Sequence, residues 1–428
     1  MISLPKLFKL SISENFPKKY LPILELNPEL RKLVTFELSK EKPIHSWFHF
    51  KEGFSPDLFF YLMERFLKEE SEDINLVIDP FCGVGTTLLS SQDLGIDAIG
   101  LDVSPLMVFV SNTKLQRGYD MKKLKDEISY ITSLKYDFKH REWPQIDFIN
   151  IKKAFLSYVR EEILFFREKI MEIEDEKIRN LFLLALLSII IPVGRIRKDG
   201  GVLKIYKRRN IPPVRVILKN KLKKMYKDLS KVHAENEAKA NCFARLGDAR
   251  KIDLEKNSAD FCLTSPPYLN WVDYTKVYAL ELSLLVPSLK ERKKIRSRSF
   301  RSYLPDEKEN FKKVRDKSQV LDSLMEFLAG KDDVRKPLWV IDAYFSDIFS
   351  FLKSLKEVLA NECIAAIVVS NTSIPYLTID TDIILAELSE SLGFEVERII
   401  VANVRKCVMR NIKEEKPVRE SIVLIRKV

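Results

Sequence analysis

A chain of 428 residues has room for about two or three domains, and 72 Lys+Arg against 61 Asp+Glu leave a formal net charge of +11. An apolar fraction of 46% with 10% aromatics excludes wholesale disorder. The five cysteines (Cys82, Cys242, Cys262, Cys363, Cys407) form no CxxC pair, and His45, His49, His140 and His233 stand near none of them, so neither a metal site nor a disulfide framework is expected. Scattered thiols suit a reducing cytoplasm.

In chain order, the opening MISLPKLFKLSISENF lacks the apolar stretch of a signal peptide. Ser55 and Pro56 form an N-cap and first-turn signature for an amphipathic helix from Pro56 to about Lys68. Asn75 to Ile78 reads as a buried strand, Thr86 to Leu94 as a helix and Ala98 to Leu101 as the next strand, which makes a βαβ unit. Residues 120–240 are helix-rich. Within them Leu181 to Val193 is apolar but only 13 residues long, short of the ~20 that cross a bilayer, so a buried helix is expected. Residues 194–228 carry thirteen Lys/Arg around the turn Arg197-Lys198-Asp199-Gly200-Gly201, a concentrated positive face. Phe243 to Leu246 and Phe261 to Leu263 are further buried strands. Lys290 to Arg301 has seven basic residues and one acid with Ser297, Ser299 and Phe300 interleaved, and is expected to be a loop that orders on binding. A second long amphipathic helix spans Asp342 to Leu359, followed by a strand from Ile364 to Val369 and a terminal antiparallel pair, Val396 to Val401 with Ser421 to Ile425.

These elements describe an α/β protein with an open, mostly parallel sheet, an antiparallel last strand and a large helical insertion. The divisions expected are 1–118, the helix-rich basic insertion 119–240, and 241–428 with a basic loop at 288–335.

Two motifs carry chemistry. Asp79-Pro80-Phe81-Cys82-Gly83-Val84-Gly85-Thr86-Thr87 follows a strand and opens a helix, where glycines let the backbone approach a ligand closely. Asp102 ends the next strand, placed to accept both hydroxyls of a ribose. Leu88 stands where a dinucleotide fingerprint has its third glycine, and no GKT or GKS exists, which excludes a P-loop. The second motif is Thr264-Ser265-Pro266-Pro267-Tyr268, at a strand end where open α/β sheets bind ligands. Its prolines fix the backbone, so that the Ser265 hydroxyl and Pro266 carbonyl can accept hydrogen bonds from an NH2 group while Tyr268 offers a flat face to a base. An exocyclic amine is a poor nucleophile because its lone pair is delocalised into the ring. Two acceptors on its protons favour a pyramidal nitrogen and free the lone pair for attack. Attack at cytosine carbon 5 would need a nucleophilic cysteine, usually beside a proline, and the chain has no Pro-Cys pair.

Together DPFCGVGTT and TSPPY resemble motifs I and IV of S-adenosylmethionine-dependent amino DNA methyltransferases. The resemblance covers about residues 40–115 and 240–428 and implies a Rossmann-like class I methyltransferase sheet. It also implies S-adenosylmethionine as cofactor, held by Asp79, Phe81, Gly83, Gly85, Thr86, Asp102 and Asp248. Of these, Asp102 would take the ribose and Asp248, in Leu246-Gly247-Asp248-Ala249-Arg250, the adenine amine. Ser265, Pro266, Pro267 and Tyr268 would be catalytic. Trp47-Phe48-His49-Phe50 through Phe54-Ser55-Pro56 resembles motif X, which covers the methionine carboxylate, although a staple of the following helix fits as well. Asn270 to Tyr274, with Asp273, resembles the extension of the catalytic loop, where Asp273 is equally a helix N-cap. Val418-Arg419-Glu420-Ser421 is also similar and is read as structural.

TSPPY is the commoner form for N4-cytosine, DPPY or NPPY for N6-adenine. The expectation is therefore a site-specific DNA methyltransferase acting on cytosine N4 of a flipped base. The alternatives are adenine N6, then tRNA guanine N2, then a non-catalytic DNA-binding subunit. Double-stranded DNA is the expected partner, with phosphate contacts from Arg195, Arg197, Lys198, Arg208, Arg209, Lys293, Arg296 and Arg298, and a cognate restriction endonuclease is the further candidate partner. One departure from the family stands out: the insertion falls between strands two and three, whereas the usual target-recognition domain follows strand three.

Overall fold

The structure, a computed structural model, describes residues 16–67, 74–137, 139–208, 210–233, 240–303, 310–331, 338–374, 377–407 and 416–428. Ten strands organise the account: β1 (Leu24–Leu26), β2 (Leu76–Asp79), β3 (Asp97–Asp102), β4 (Ile196–Asp199), β5 (Val202–Ile205), β6 (Cys242–Leu246), β7 (Ala259–Thr264), β8 (Leu359–Ser370), β9 (Phe394–Cys407) and β10 (Lys416–Lys427). Eight of them form one sheet in the order β1-β9-β10-β8-β7-β2-β3-β6. β6, β3, β2, β7 and β8 run parallel, and β10 is antiparallel to both its neighbours. This is the class I methyltransferase arrangement expected from the sequence, with an added parallel edge pairing of β1 with β9.

The central strands are apolar almost throughout because helices cover both faces. Alternation sorts their side chains: Ile364, Ala366 and Val368 enter one core, Ala365, Ile367 and Val369 the other. Helices α1 (Pro56–Phe66), α2 (Thr86–Leu94) and α3 (Pro105–Leu115) pack on the first face. Ser55 caps α1 through its hydroxyl, which accepts the Asp57 amide at 3.3 Å.

The insertion contributes α4 (Met121–Ser133), α5 (Ser157–Met171), α6 (Glu176–Ile189), the hairpin β4–β5, and α7 (Val214–His233). Its apolar residues join the core of the first sheet face, so the helical layer thickens that face. The apolar run from Leu181 is buried in α6, as expected. α7 shows why the basic stretch stays folded: Val214, Leu218, Leu222 and Met225 line its buried side while lysines point outward. Asp228, also on α7, is buried and accepts from the Trp47 indole and Lys224, both at 2.9 Å, tying the insertion to the segment ahead of α1.

The second sheet face is covered by α9 (Leu338–Val358) and α10 (Thr381–Ser391). Between them and β7 in sequence lies a correction. Most of Lys290 to Arg301 is not a loop but helix α8 (Leu289–Arg298), capped by the Ser288 hydroxyl. Its buried side is made of arginines: Arg292 donates to the Val286 and Pro287 carbonyls, and Arg296 pairs with Asp273 at 2.7 Å.

Candidate active site

The strand order reverses direction at β2: β3 and β6 follow on one side, β7 and β8 on the other, so the carboxyl ends of β2 and β7 flank a crevice. Both motifs emerge there. Asp79, the last residue of β2, is buried and accepts from Thr87 Oγ1 at 2.8 Å, Thr264 Oγ1 at 2.6 Å and the Phe81 amide at 3.1 Å. It thus stitches the first motif to the residue before Ser265, while burial pushes its carboxyl up to about 6 despite these donors. Gly83 and Gly85 adopt φ +49° and +77°. A Cβ on Gly83 would sit 3.1 Å from the Phe50 ring, and one on Gly85 would meet Ser111 Oγ at 2.9 Å, so the loop tolerates only glycine.

α3 holds this loop from behind. Ser111 Oγ donates to the Gly83 carbonyl at 2.8 Å. Lys114, almost wholly buried, donates from Nζ to the carbonyls of Val84 and His45, each at 3.2 Å, and burial lowers its ammonium to about 7. Nothing in the sequence marked Lys114, because its spacing on α3 is that of an ordinary core position.

Asp102 ends β3 with Oδ1 accepting the Ser104 amide at 2.8 Å and Oδ2 the Gly83 amide at 3.1 Å. Burial raises its carboxyl to about 7. Asp248, beyond β6, lines the same cavity but is gripped by Arg250, whose Nη2 reaches it at 2.7 Å while Nη1 reaches Asp347 at 3.2 Å.

Ser265, Pro266, Pro267 and Tyr268 line the cavity opposite the first motif, and Phe81, Thr86, Asp79, Asp102 and Asp248 share it. The Ser265 hydroxyl lies 3.5 Å from the Tyr268 hydroxyl, which donates to Glu420 Oε1 at 3.1 Å, and Asn403 donates to the other Glu420 oxygen at 3.1 Å. With its proton given to Tyr268, the Ser265 oxygen keeps lone pairs for an incoming donor. Burial pushes the Glu420 carboxyl up, partly offset by the nearby Arg405 charge. Tyr268 is only 3% exposed, so its ring is wall rather than a projecting platform. Neighbouring Arg419 is structural, as read from the sequence: it is buried against Asp382 and Asp380, each at 2.9 Å.

The cavity encloses about 1190 Å³ including its open mouth. Phe50 stacks parallel to Tyr278 and Tyr274 at 5.8 and 6.1 Å, and Phe81 meets Phe300 edge-on at 5.3 Å. Four acids line it, Glu52, Asp79, Asp102 and Asp248, and among the described residues no Lys or Arg does. Acids and aromatic faces without basic side chains suit a cationic ligand and disfavour a polyphosphate. The loop that glycine keeps open, the ribose-height carboxylate and this charge balance fit S-adenosylmethionine, a sulfonium that also carries an ammonium.

The basic residues divide. Arg197, Lys293 and Arg298 are exposed; Arg197 lies 3.5 Å from Asp199 and Lys293 3.6 Å from Asp147. Arg195 is half-buried, Arg208 donates to the Pro192 carbonyl, and Arg209 lies outside the described residues. Two expected phosphate contacts are corrected. Lys198 turns inward, 2.8 Å from Glu281 and 3.5 Å above the Tyr278 ring, and Arg296 is the buried partner of Asp273. Each is committed to an internal carboxylate, which a phosphate would have to displace. Asp273 is also an N-cap, accepting the Thr275 amide at 3.0 Å. Among the described residues no helix is long and apolar enough to cross a membrane, and no group of three His, Cys, Asp or Glu is placed to hold a metal.

Comparison with known proteins agrees with this geometry. A family profile described as DNA methylase, of the N6/N4 type, matches residues 59–112, the span from α1 through the first motif to α3. Over that span the chain is similar to the amino DNA methyltransferases. The Type II methyltransferase M.AvaI of Nostoc sp. is 27% identical over 424 residues, 87% of this chain and 83% of that protein. M.BsoBI of Geobacillus stearothermophilus is 26% identical, covering 91% and 86%. M.MjaII of Methanocaldococcus jannaschii is 24% identical over 60% of this chain and 65% of its own. The first two matches span most of both chains.

Proposed function

We propose that this protein is a site-specific DNA methyltransferase that transfers a methyl group from S-adenosylmethionine to the exocyclic amine of a flipped base, cytosine N4 in the first instance. The observation that carries the reading is the meeting of Ser265–Tyr268 with Gly83, Gly85 and Asp102 in one acidic, aromatic cavity. When bound, S-adenosylmethionine would supply an electrophilic sulfonium methyl for the amine nitrogen, with S-adenosylhomocysteine as the leaving group and the displaced amine proton passing to solvent. Ser265 Oγ and the Pro266 carbonyl accept the two amine protons and so draw the lone pair out of the ring. The backbone of Gly83 to Gly85 gives room for the methionine portion, Asp102 takes the ribose hydroxyls, and Asp248, held by Arg250, faces the adenine.

Cytosine is favoured by the serine of TSPPY; adenine N6 would use the same two acceptors. Base flipping costs a few kcal/mol, which phosphate contacts from Arg197, Lys293 and Arg298 help to offset. The Type II methyltransferases among its relatives support DNA as substrate. A restriction endonuclease of matching specificity would be its counterpart in the cytoplasm.

Ser265→Ala tests the site. Turnover is expected to fall by roughly 100-fold with cofactor affinity retained, since an acceptor used in the transition state is lost. Wild-type turnover in this variant would overturn the assignment.

A further inference from the structure

Glu52 is one of the four acids that line the cavity with Ser265 and Tyr268, and it lies in the segment ahead of α1. Its Oε2 accepts the Asn270 side-chain amide at 2.5 Å and the Tyr274 hydroxyl at 3.2 Å. Both donors lie just beyond the TSPPY motif. Asn270 in turn accepts the Val272 amide through Oδ1 at 3.1 Å, so one carboxylate fixes the side chain that shapes the turn after Tyr268.

The backbone supplies an independent observation. Glu52 sits at φ +63° and Trp271, on the opposite side of the contact, at φ +67°. Non-glycine residues are strained in this region, and such conformations persist where surrounding contacts hold them, often at ligand sites. The flanking residues are anchored too. Phe50 stacks on Tyr278, and the Lys51 amide donates to the Tyr278 hydroxyl at 2.9 Å. A segment ahead of α1 therefore reaches across the cavity to hold the chain that leaves the catalytic motif.

We propose that Glu52 is a positioning residue for methyl transfer, clamping the Leu269–Tyr274 segment so that the Ser265 and Pro266 acceptors stay aimed at the target amine. The proposal rests on the methyltransferase reading. What the clamp needs from position 52 is an acceptor oxygen. Glutamine keeps one and can still take the Asn270 amide, whereas alanine leaves both donors without their partner.

Hydrogen exchange on the free protein and steady-state kinetics on DNA test it together. In Glu52→Ala, amides of residues 269–278 are expected to exchange about 10-fold faster while the rest of the sheet is unchanged. Its kcat should fall about 10-fold or more with cofactor Kd little altered, and Glu52→Gln should recover most of both losses. Unchanged exchange at 269–278 in Glu52→Ala would overturn the clamp. A Glu52→Gln variant as slow as Glu52→Ala would also overturn it, because the negative charge would then be what matters, as would a loss confined to cofactor binding. Absence of methyl transfer by the wild type would contradict the methyltransferase reading instead, and the exchange pattern would still decide the clamp.

Discussion

On the proposed reading Asp102 meets two demands that pull against each other: it accepts from hydroxyl groups, and it is half-buried where a charge is costly. Burial raises its carboxyl to about 7, with the amides of Ser104 and Gly83 opposing the shift. Ribose hydroxyls donate best to the anion, so a ligand bound there pulls the pKa back down and binds more tightly as the group ionises. Cofactor affinity is therefore expected to increase as pH rises from about 6 to 8, and Asp102→Asn should bind weakly with a flatter profile. Calorimetric titration with S-adenosylmethionine at several pH values measures this; an affinity that falls over that range in the wild type would contradict the role of Asp102. The same residues show the limits of reading roles from a string. Asp79, Gly83, Gly85 and Asp102 were singled out by glycines after a strand end, an acid ending the next strand and the resemblance of DPFCGVGTT to the family's motif I. Lys114, Glu52 and Glu420 were not, because their significance lies in which distant carbonyl, amide or hydroxyl they meet.

At the scale of elements, helix α8 is the instructive case. A run of seven basic residues with one acid, expected to be a loop that orders on binding, lacks the apolar stripe that marks an amphipathic helix. Here the stripe's place is taken by Arg292 and Arg296, buried through carbonyl and carboxylate partners, with Arg296 also over the Tyr303 ring at 5.1 Å. The two sides of the helix should respond differently to mutation. Lys293→Ala with Arg298→Ala should weaken DNA binding and lower the slope of log affinity against log salt by about two, with thermal stability preserved. Arg296→Ala should instead cost about 3 kcal/mol of stability by leaving the buried Asp273 with only its longer cation contact, to Lys276 at 3.9 Å. Equal effects on salt dependence from both changes, read by titration of fluorescent duplex at several salt concentrations, would contradict this division. Strands fared better in the sequence because a short apolar run bounded by turns has few alternatives; their lengths did not, and β8 begins at Leu359, directly after α9.

At the scale of the molecule, the two motifs lie about 180 residues apart in sequence and become neighbours only because β2 pairs with β7. The family resemblance led to that expectation, whereas periodicity alone gave the strands without their order. The insertion between β3 and β6 packs as a further layer on the same core as α1 to α3, and its hairpin turn reaches the catalytic loop: a Cβ on Gly201 would lie 3.2 Å from the Val272 Cα. An element that bears exposed basic residues thus touches the segment that follows Ser265 and Pro266, so that on the proposed reading nucleic-acid contact and chemistry adjoin. The most direct measurement is incubation with radiolabelled S-adenosylmethionine and, separately, unmethylated duplex DNA and unmodified tRNA, followed by digestion and identification of the labelled nucleoside. Label recovered from DNA as N4-methylcytosine is the expected result, and N6-methyladenine would change the base alone. Label in tRNA only, or no label from a protein that binds the cofactor and a DNA containing every short site, would contradict the assignment of this cavity to DNA amino methylation.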